Sequence, residues 1–367
     1  MQKSLQYRVR RTKSLFYESE VIQKLSTQGN PLETLSSVID FEMFRSILED
    51  AVINKEVKSN AGRRPIDVVQ MFKVLVVERL YNLSDESCQY QILDRLSFQR
   101  FLGIDSVSDV PDARTIWAFR DKLVKQGVFD RLFDLFRSIL DGCGLRYTEG
   151  KIVDASFVEA PRQHNTREEN KIIKQGDGSS LWQDEEGDDE TVLSKKKHKR
   201  SHKDIEARWT KKGGQRHYGY KKHIKVDVKT KLIESYVTTS ASVHDAKVVS
   251  ALLEKSDEGQ SLYADSGYTG KDEEIKNAGM HPVICERGKR NHPLTDEQKA
   301  NNRLKSKIRC RVEHVFGFCR GAMHGLKVRS VGFIRAHGFV AFSALLYNMF
   351  RFAIIGQTSP HLIRCKG

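Results

Sequence analysis

Three acidic residues lie far apart along the chain in contexts that would bring them to one place: Asp154 in KIVDAS, Asp265 in LYADSGYTG and Glu313 in IRCRVEHVFGFCR. Asp154 ends the apolar run Lys151-Ile152-Val153, and Asp265 ends Leu262-Tyr263-Ala264. These are the positions expected at the tips of buried strands, where α/β sheets place their chemistry. Glu313 belongs to a segment that reads as one helix from about Asp296 to Arg320. Leu304, Ile308, Val312, Val315 and Cys319 recur there at three- and four-residue steps, with Ser306, Arg309, Glu313 and Arg320 on the polar side. Carboxylates so assembled suit a pair of hard divalent cations, Mg²⁺ or Mn²⁺, which prefer oxygen ligands. Two such ions roughly 4 Å apart stabilise the attacking and leaving oxygens of an in-line phosphoryl displacement. Taken singly, each acid also has a plain structural reading, as a turn residue or, for Glu313, as the i,i+4 partner of Arg309.

The most specific block surrounds the glutamate: Arg309, three residues, Glu313, six residues, then Arg320. It is similar to the Tyr-x2-Arg-x3-Glu-x6-Lys signature of DDE transposases of the bacterial insertion-sequence type. The chain resembles that group, close to insertion-sequence family five, from about Phe41 to about Phe352. Ser306 replaces the tyrosine of the signature, and Arg320 replaces its lysine, keeping the charge and adding bidentate phosphate geometry. VDAS with the following Ala160-Pro161, AD-x-GYTG, Ser242-Val243-His244-Asp245 and Leu346-Tyr347-Asn348-Met349 extend the likeness.

The resemblance implies an α/β fold: an RNase H-like mixed sheet flanked by helices, preceded by an all-helical N-terminal domain. It implies catalysis and metal binding by Asp154, Asp265 and Glu313, with two Mg²⁺ or Mn²⁺ ions. The expected activity is binding of an element's terminal inverted repeats, cleavage at its ends, and joining of the 3′-hydroxyls to target DNA. The partners would be double-stranded DNA and a homodimer or higher synaptic assembly. A nuclease or resolvase that cleaves without strand transfer, and a noncatalytic DNA-binding descendant, are the alternatives. The 48 positions from Asp265 to Glu313 leave little room for a large inserted β domain between the second and third acids.

Charge agrees with a nucleic-acid partner. The chain has 367 residues and a formal net charge of +14. Residues 191–225 hold 13 Lys and Arg against 2 Asp and Glu, and residues 291–340 hold 10 against 3, so the remainder is net acidic. A field focused on two segments supplies salt-sensitive binding to phosphates. Arg309, Arg320, Arg114, Thr115, Arg120 and Lys221 are the candidate DNA contacts. Six cysteines, at 88, 143, 285, 310, 319 and 365, show neither a CxxC pair nor regular spacing, so neither a zinc site nor a disulfide framework is expected. With no apolar core for a secretory signal in MQKSLQYRVRRTKS, a bacterial cytoplasmic location, nucleoid-associated when bound to DNA, is the simplest expectation. The apolar run Gly338 to Gly356 contains Ser343, Asn348 and Arg351, and reads as a terminal helix on the catalytic sheet rather than a membrane span.

These features divide the chain into an N-terminal arm (1–40), a helical region (41–125), a connecting helix (126–146), the catalytic domain (147–357) and a tail (358–367). In the helical region, Pro65 to Tyr81 and Glu86 to Leu93 read as helices, and a third opens at Asp112 with Arg114, Thr115 and Arg120. Short turns between them would make a helix-turn-helix, or the region is a bundle whose charges face water. In the catalytic domain, the polar stretch 163–215 has opposing charge blocks and reads as a mobile insertion that orders on DNA. Beyond it, Ile224, Val226 and Val228 alternate with polar residues, and Lys229-Thr230-Lys231 turns the chain into Leu232 to Thr239 as a hairpin beside the strand of Asp154. Ser242, with Asp245 three residues on, reads as the cap of the next helix, and His281 to Cys285 as a further strand.

Overall fold

A computed structural model describes residues 16–52, 64–145, 148–184, 189–290 and 292–358. The basic start of the chain and tail residues 359–367 lie outside the described residues.

Six strands form one sheet: β1 (Lys151–Glu159), β2 (Arg208–Lys212), β3 (Gln215–Asp227), β4 (Ile233–Ser240), β5 (Ser261–Ala264) and β6 (His281–Ile284). The main order is β4-β3-β1-β5-β6, with β2 paired to the first half of β3. The β1–β3 and β3–β4 pairs are antiparallel, whereas β1, β5 and β6 run parallel. An antiparallel three-strand meander continued by two parallel strands is the expected RNase H-like arrangement. The hairpin forms where the sequence places it, because Asp227 Oδ1 accepts from the Lys229 and Thr230 N–H groups and closes a side-chain turn. Gly219 is required at the β1–β3 crossing: its φ is +138°, and any Cβ would collide with the carbonyl oxygen of Val158.

One face of the sheet is covered by the helix Phe333–Thr358, which is apolar all round and packs on β4 and on the helices Val128–Gly142, Ala113–Lys125 and Val68–Leu80. It is long and apolar enough to cross a membrane, yet 83% of its most apolar window is buried in this fold. It is the central helix of a core shared by the N-terminal helices and the sheet. Arg79 ties these parts together, donating from the Val68–Leu80 helix to Ser343 Oγ at 2.8 Å and to the carbonyls of Met323 and Gly325.

The N-terminal helices start at their capping residues. Asp67 caps Val68–Leu80, Ser84 caps Asp85–Asp94, and Asp112 caps Ala113–Lys125. The helices Leu96–Leu102 and Ala113–Lys125 are separated by residues 103–112, which include a 3-10 turn at Val107–Asp109. That connection is too long for the turn of a helix-turn-helix ending in the Arg114 helix. Within the expected arm, the helix Pro31–Ser36 buries Leu32 and Leu35 in the common core.

Residues 163–184 and 189–215 differ from the expectation of a mobile insertion. They form the helices Arg167–Gln175 and Glu190–His202 and edge strand β2. Few apolar side chains hold them, which is why periodicity gave no sign of packing. A buried carboxylate network does the work instead: Glu169 accepts from Thr166 N–H, Trp182 Nε1, Lys199 Nζ and Lys203 Nζ. Asp204 accepts from the hydroxyl of Tyr220 on β3 and from Gly332 N–H. Two smaller expectations also give way. The turn after β4 is a 3-10 segment, Asp245–Val248, capped by His244 Nδ1 rather than by Ser242. Cys143 is disulfide-bonded, although the cysteine spacing carried no sign of a bridge.

Candidate active site

Asp154 lies within β1 opposite Ile224 of β3, on the sheet face that packs against the long central helix. Ile152 pairs with Tyr263 across the parallel β1–β5 ladder, and two residues further on the same register sets Asp154 level with Asp265, just beyond the end of β5. Both carboxylates are anchored locally. Asp154 Oδ1 accepts from Ala155 N–H at 2.8 Å, and Asp265 Oδ1 accepts from Gly267 N–H at 2.8 Å. Burial pushes the Asp154 carboxyl up to about 6, with the neighbouring Asp265 charge adding to the rise and the Ala155 N–H and Arg309 opposing it.

Glu313 is placed differently. The expected single helix is two, Asp296–Arg309 and Glu313–Arg320, joined by a 3-10 turn at Cys310–Val312. A 3-10 turn advances about 120° per residue against about 100° in an α-helix, so Glu313 is rotated by several tens of degrees from the face that carries Arg309. Arg309 therefore reaches inward and donates to Asp154 Oδ2 at 2.9 Å. Glu313 points outward, half exposed, with Arg320 Nη2 3.3 Å from its carboxylate. Leu304, expected on the apolar side, is 68% exposed, because the first of the two helices buries no residue at all.

Among the described residues, no group of three His, Cys, Asp or Glu side chains is close enough together to hold a metal ion. The donors that do fit a hard cation are the pair Asp154 and Asp265, two carboxylates at one level of adjacent strands. The upward push on the Asp154 carboxyl marks a concentration of negative charge that a cation would offset.

Other polar groups surround this pair. Lys221 Nζ donates to Asp245 Oδ1 at 2.9 Å and to the carbonyl of Val243. His223 Nδ1 lies 4.0 Å from the same carboxylate, and burial lowers its pKa to about 4. The turn that bears Asp245 packs against the turn Ser266–Tyr268. Asp245 had been legible only as a capping residue. Tyr268 stood in the quoted GYTG motif without a role, and only the burial of its hydroxyl singles it out.

Two family models match this chain: one described as a transposase DDE domain, over residues 148–349, and one described as a transposase domain (DUF772), over residues 20–122. The first spans more than half of the sequence. The chain belongs to the DDE transposases. No solved structure matches it. The second match covers most of the helical region, so the transposase's N-terminal helices belong to the family pattern as much as its sheet does.

The candidate DNA contacts of the transposase do not form one surface. Arg114 is exposed at the start of its helix, while Thr115 Oγ1 donates to the capping Asp112. Arg120 turns inward, forming ion pairs with Glu78 and Asp85, both at 2.6 Å. Lys221 is buried against Asp245. Exposed cations missing from the sequence-based set lie on the helix Asp296–Arg309, at Lys299, Arg303 and Lys307. Their three- and four-residue spacing was the available signal.

Proposed function

We propose that this transposase binds the terminal inverted repeats of an insertion sequence, cleaves DNA at the element ends and joins the freed 3′-hydroxyls to target DNA. The observation that carries this reading is the setting of Asp154 and Asp265 side by side on parallel strands of an RNase H-like sheet, within a matched transposase DDE domain. The spacing around Glu313 supports the closer likeness to insertion-sequence family five.

Asp154 and Asp265 would hold divalent cations, Mg²⁺ or Mn²⁺, as a pair of ions. Bound there, the ions would supply Lewis acidity to the scissile phosphate and lower the pKa of the attacking water. Glu313 completes the ligand set once it exchanges Arg320 for the site. Arg309 and Arg320 hold phosphate oxygens, for which the guanidinium fork is matched. Water breaks one P–O bond at the element end and releases a 3′-hydroxyl. That hydroxyl then displaces a P–O bond in the target, so one phosphodiester is formed for each broken and no covalent protein intermediate is needed. Positioning and charge stabilisation supply most of the acceleration. A homodimer or larger synaptic assembly brings two ends together, and the working location is the bacterial cytoplasm at the nucleoid.

The deciding experiment offers a duplex carrying one element end, and separately a precleaved end with target DNA, in Mg²⁺. Wild type is expected to cleave the first and join the second. Cleavage without joining supports a nuclease, and cleavage surviving Asp265→Asn removes the proposed site.

A further inference from the structure

Tyr268 closes the 3-10 turn that follows Asp265, and its ring packs among Val153, Ala246, Val249 and Ile275. The residue is 1% exposed, yet its hydroxyl has no hydrogen-bond partner. Buried hydroxyls nearly always have one, and this one lies in a pocket whose remaining polar groups are carboxylates. Burial, and then the charges of Asp154, Asp245 and Asp265, hold the phenol well above its ordinary range, so it is a protonated donor at any working pH.

We propose that Tyr268 is a positioning residue of the cleavage reaction, its hydroxyl donating a hydrogen bond into the Asp154–Asp265 pair and fixing the carboxylates that receive the divalent cation. The inference rests on the reading of the site given above. A phenylalanine would fill the apolar surroundings equally well, so packing does not account for the hydroxyl. The cationic donors nearby are already engaged: Lys221 with Asp245 and the Val243 carbonyl, and Arg309 with Asp154. A cationic donor that stayed on Asp154 would also cancel the charge the cation needs. A neutral phenol orients a carboxylate without neutralising it, which is what a metal-binding carboxylate requires of its supporting hydrogen bonds.

The test is Tyr268→Phe in the full chain. Mn²⁺ binding is measured by calorimetry without DNA, cleavage kinetics are measured on an element-end duplex, and thermal unfolding is followed without metal. Asp154→Asn and Ile275→Val are measured in parallel. The expected result is an unchanged melting temperature, Mn²⁺ affinity and kcat each lowered about 10- to 100-fold, and unchanged affinity for DNA. Mn²⁺ affinity and kcat within twofold of wild type in Tyr268→Phe, with both lost in Asp154→Asn, would overturn the role of Tyr268 and leave the site intact. Equal losses in Tyr268→Phe and Ile275→Val would assign the effect to packing and overturn it too. If Asp154→Asn binds Mn²⁺ and cleaves like wild type, the site reading fails and takes this inference with it.

Discussion

The guanidinium of Arg309 lies 2.9 Å from Oδ2 of Asp154, so the arginine expected to grip DNA phosphate serves, without DNA, as the counter-ion of the first acid. Phosphate and Asp154 therefore compete for one side chain, and so do Arg309 and a cation for one carboxylate. Arg309→Ala is expected to tighten Mn²⁺ binding by the DNA-free protein several-fold, since a charge-assisted hydrogen bond contributes on the order of 1.5 to 3 kcal/mol. The same variant should bind cognate and unrelated duplexes more weakly, with a salt slope reduced by about 1. Calorimetry and a salt series read both effects. Weaker Mn²⁺ binding would contradict the competition.

Asp154→Asn keeps the volume and the Ala155 N–H bond while removing the charge. Cleavage in Mg²⁺ or Mn²⁺ should disappear, with DNA affinity and the circular dichroism spectrum close to wild type. Near-normal cleavage by this variant would show that the carboxylate belongs to the fold and not to the chemistry.

The two arginines of the helix Ala113–Lys125 should part company. Arg114 is exposed, so Arg114→Ala should leave stability unchanged, and if it reads bases it should cost roughly 1 to 3 kcal/mol of preference for end sequence over scrambled DNA. Arg120→Ala strands Glu78 and Asp85, and should destabilise the protein by about 2 kcal/mol whatever DNA is present. Urea unfolding and duplex competition separate the outcomes. Equal loss of both affinities in Arg114→Ala would move end recognition to the basic helix Glu190–His202.

Glu169 makes the segment 163–215 sensitive to acid. Burial alone would raise its pKa, but the Thr166 N–H, Lys199, Trp182 and Lys203 bonds outweigh that and bring it down to about 2. A carboxylate lowered in the folded state stabilises fully above its ordinary value, near 4.5, and loses that contribution as pH falls toward 2. In a Trp117→Phe, Trp209→Phe background, Trp182 is the only indole left, and its emission should shift to the red across that window. Glu169→Gln should show the shifted emission already at neutral pH. A pH-independent spectrum in the parent background would mean that the network does not hold the segment.

The sequence by itself determined the parts of this protein that depend on local patterns. Alternation at Ile224, Val226 and Val228 gave the hairpin, apolar runs gave β1 and β5 with an acid at or just beyond each, and Asp67, Ser84 and Asp112 gave the helix starts. Each signal is contained within a few residues. Tertiary structure decided what depends on neighbours distant in the chain. It paired Ile152 with Tyr263 and so set Asp154 level with Asp265. It turned Arg120 into the bundle and Arg309 onto Asp154, since a charged side chain looks the same in sequence whether it faces water or a buried partner. It also broke the helix before Glu313 and buried a hydroxyl at Tyr268 beside three aspartates. Neither leaves a periodic trace, because both follow from where the surrounding elements pack rather than from which residues are adjacent.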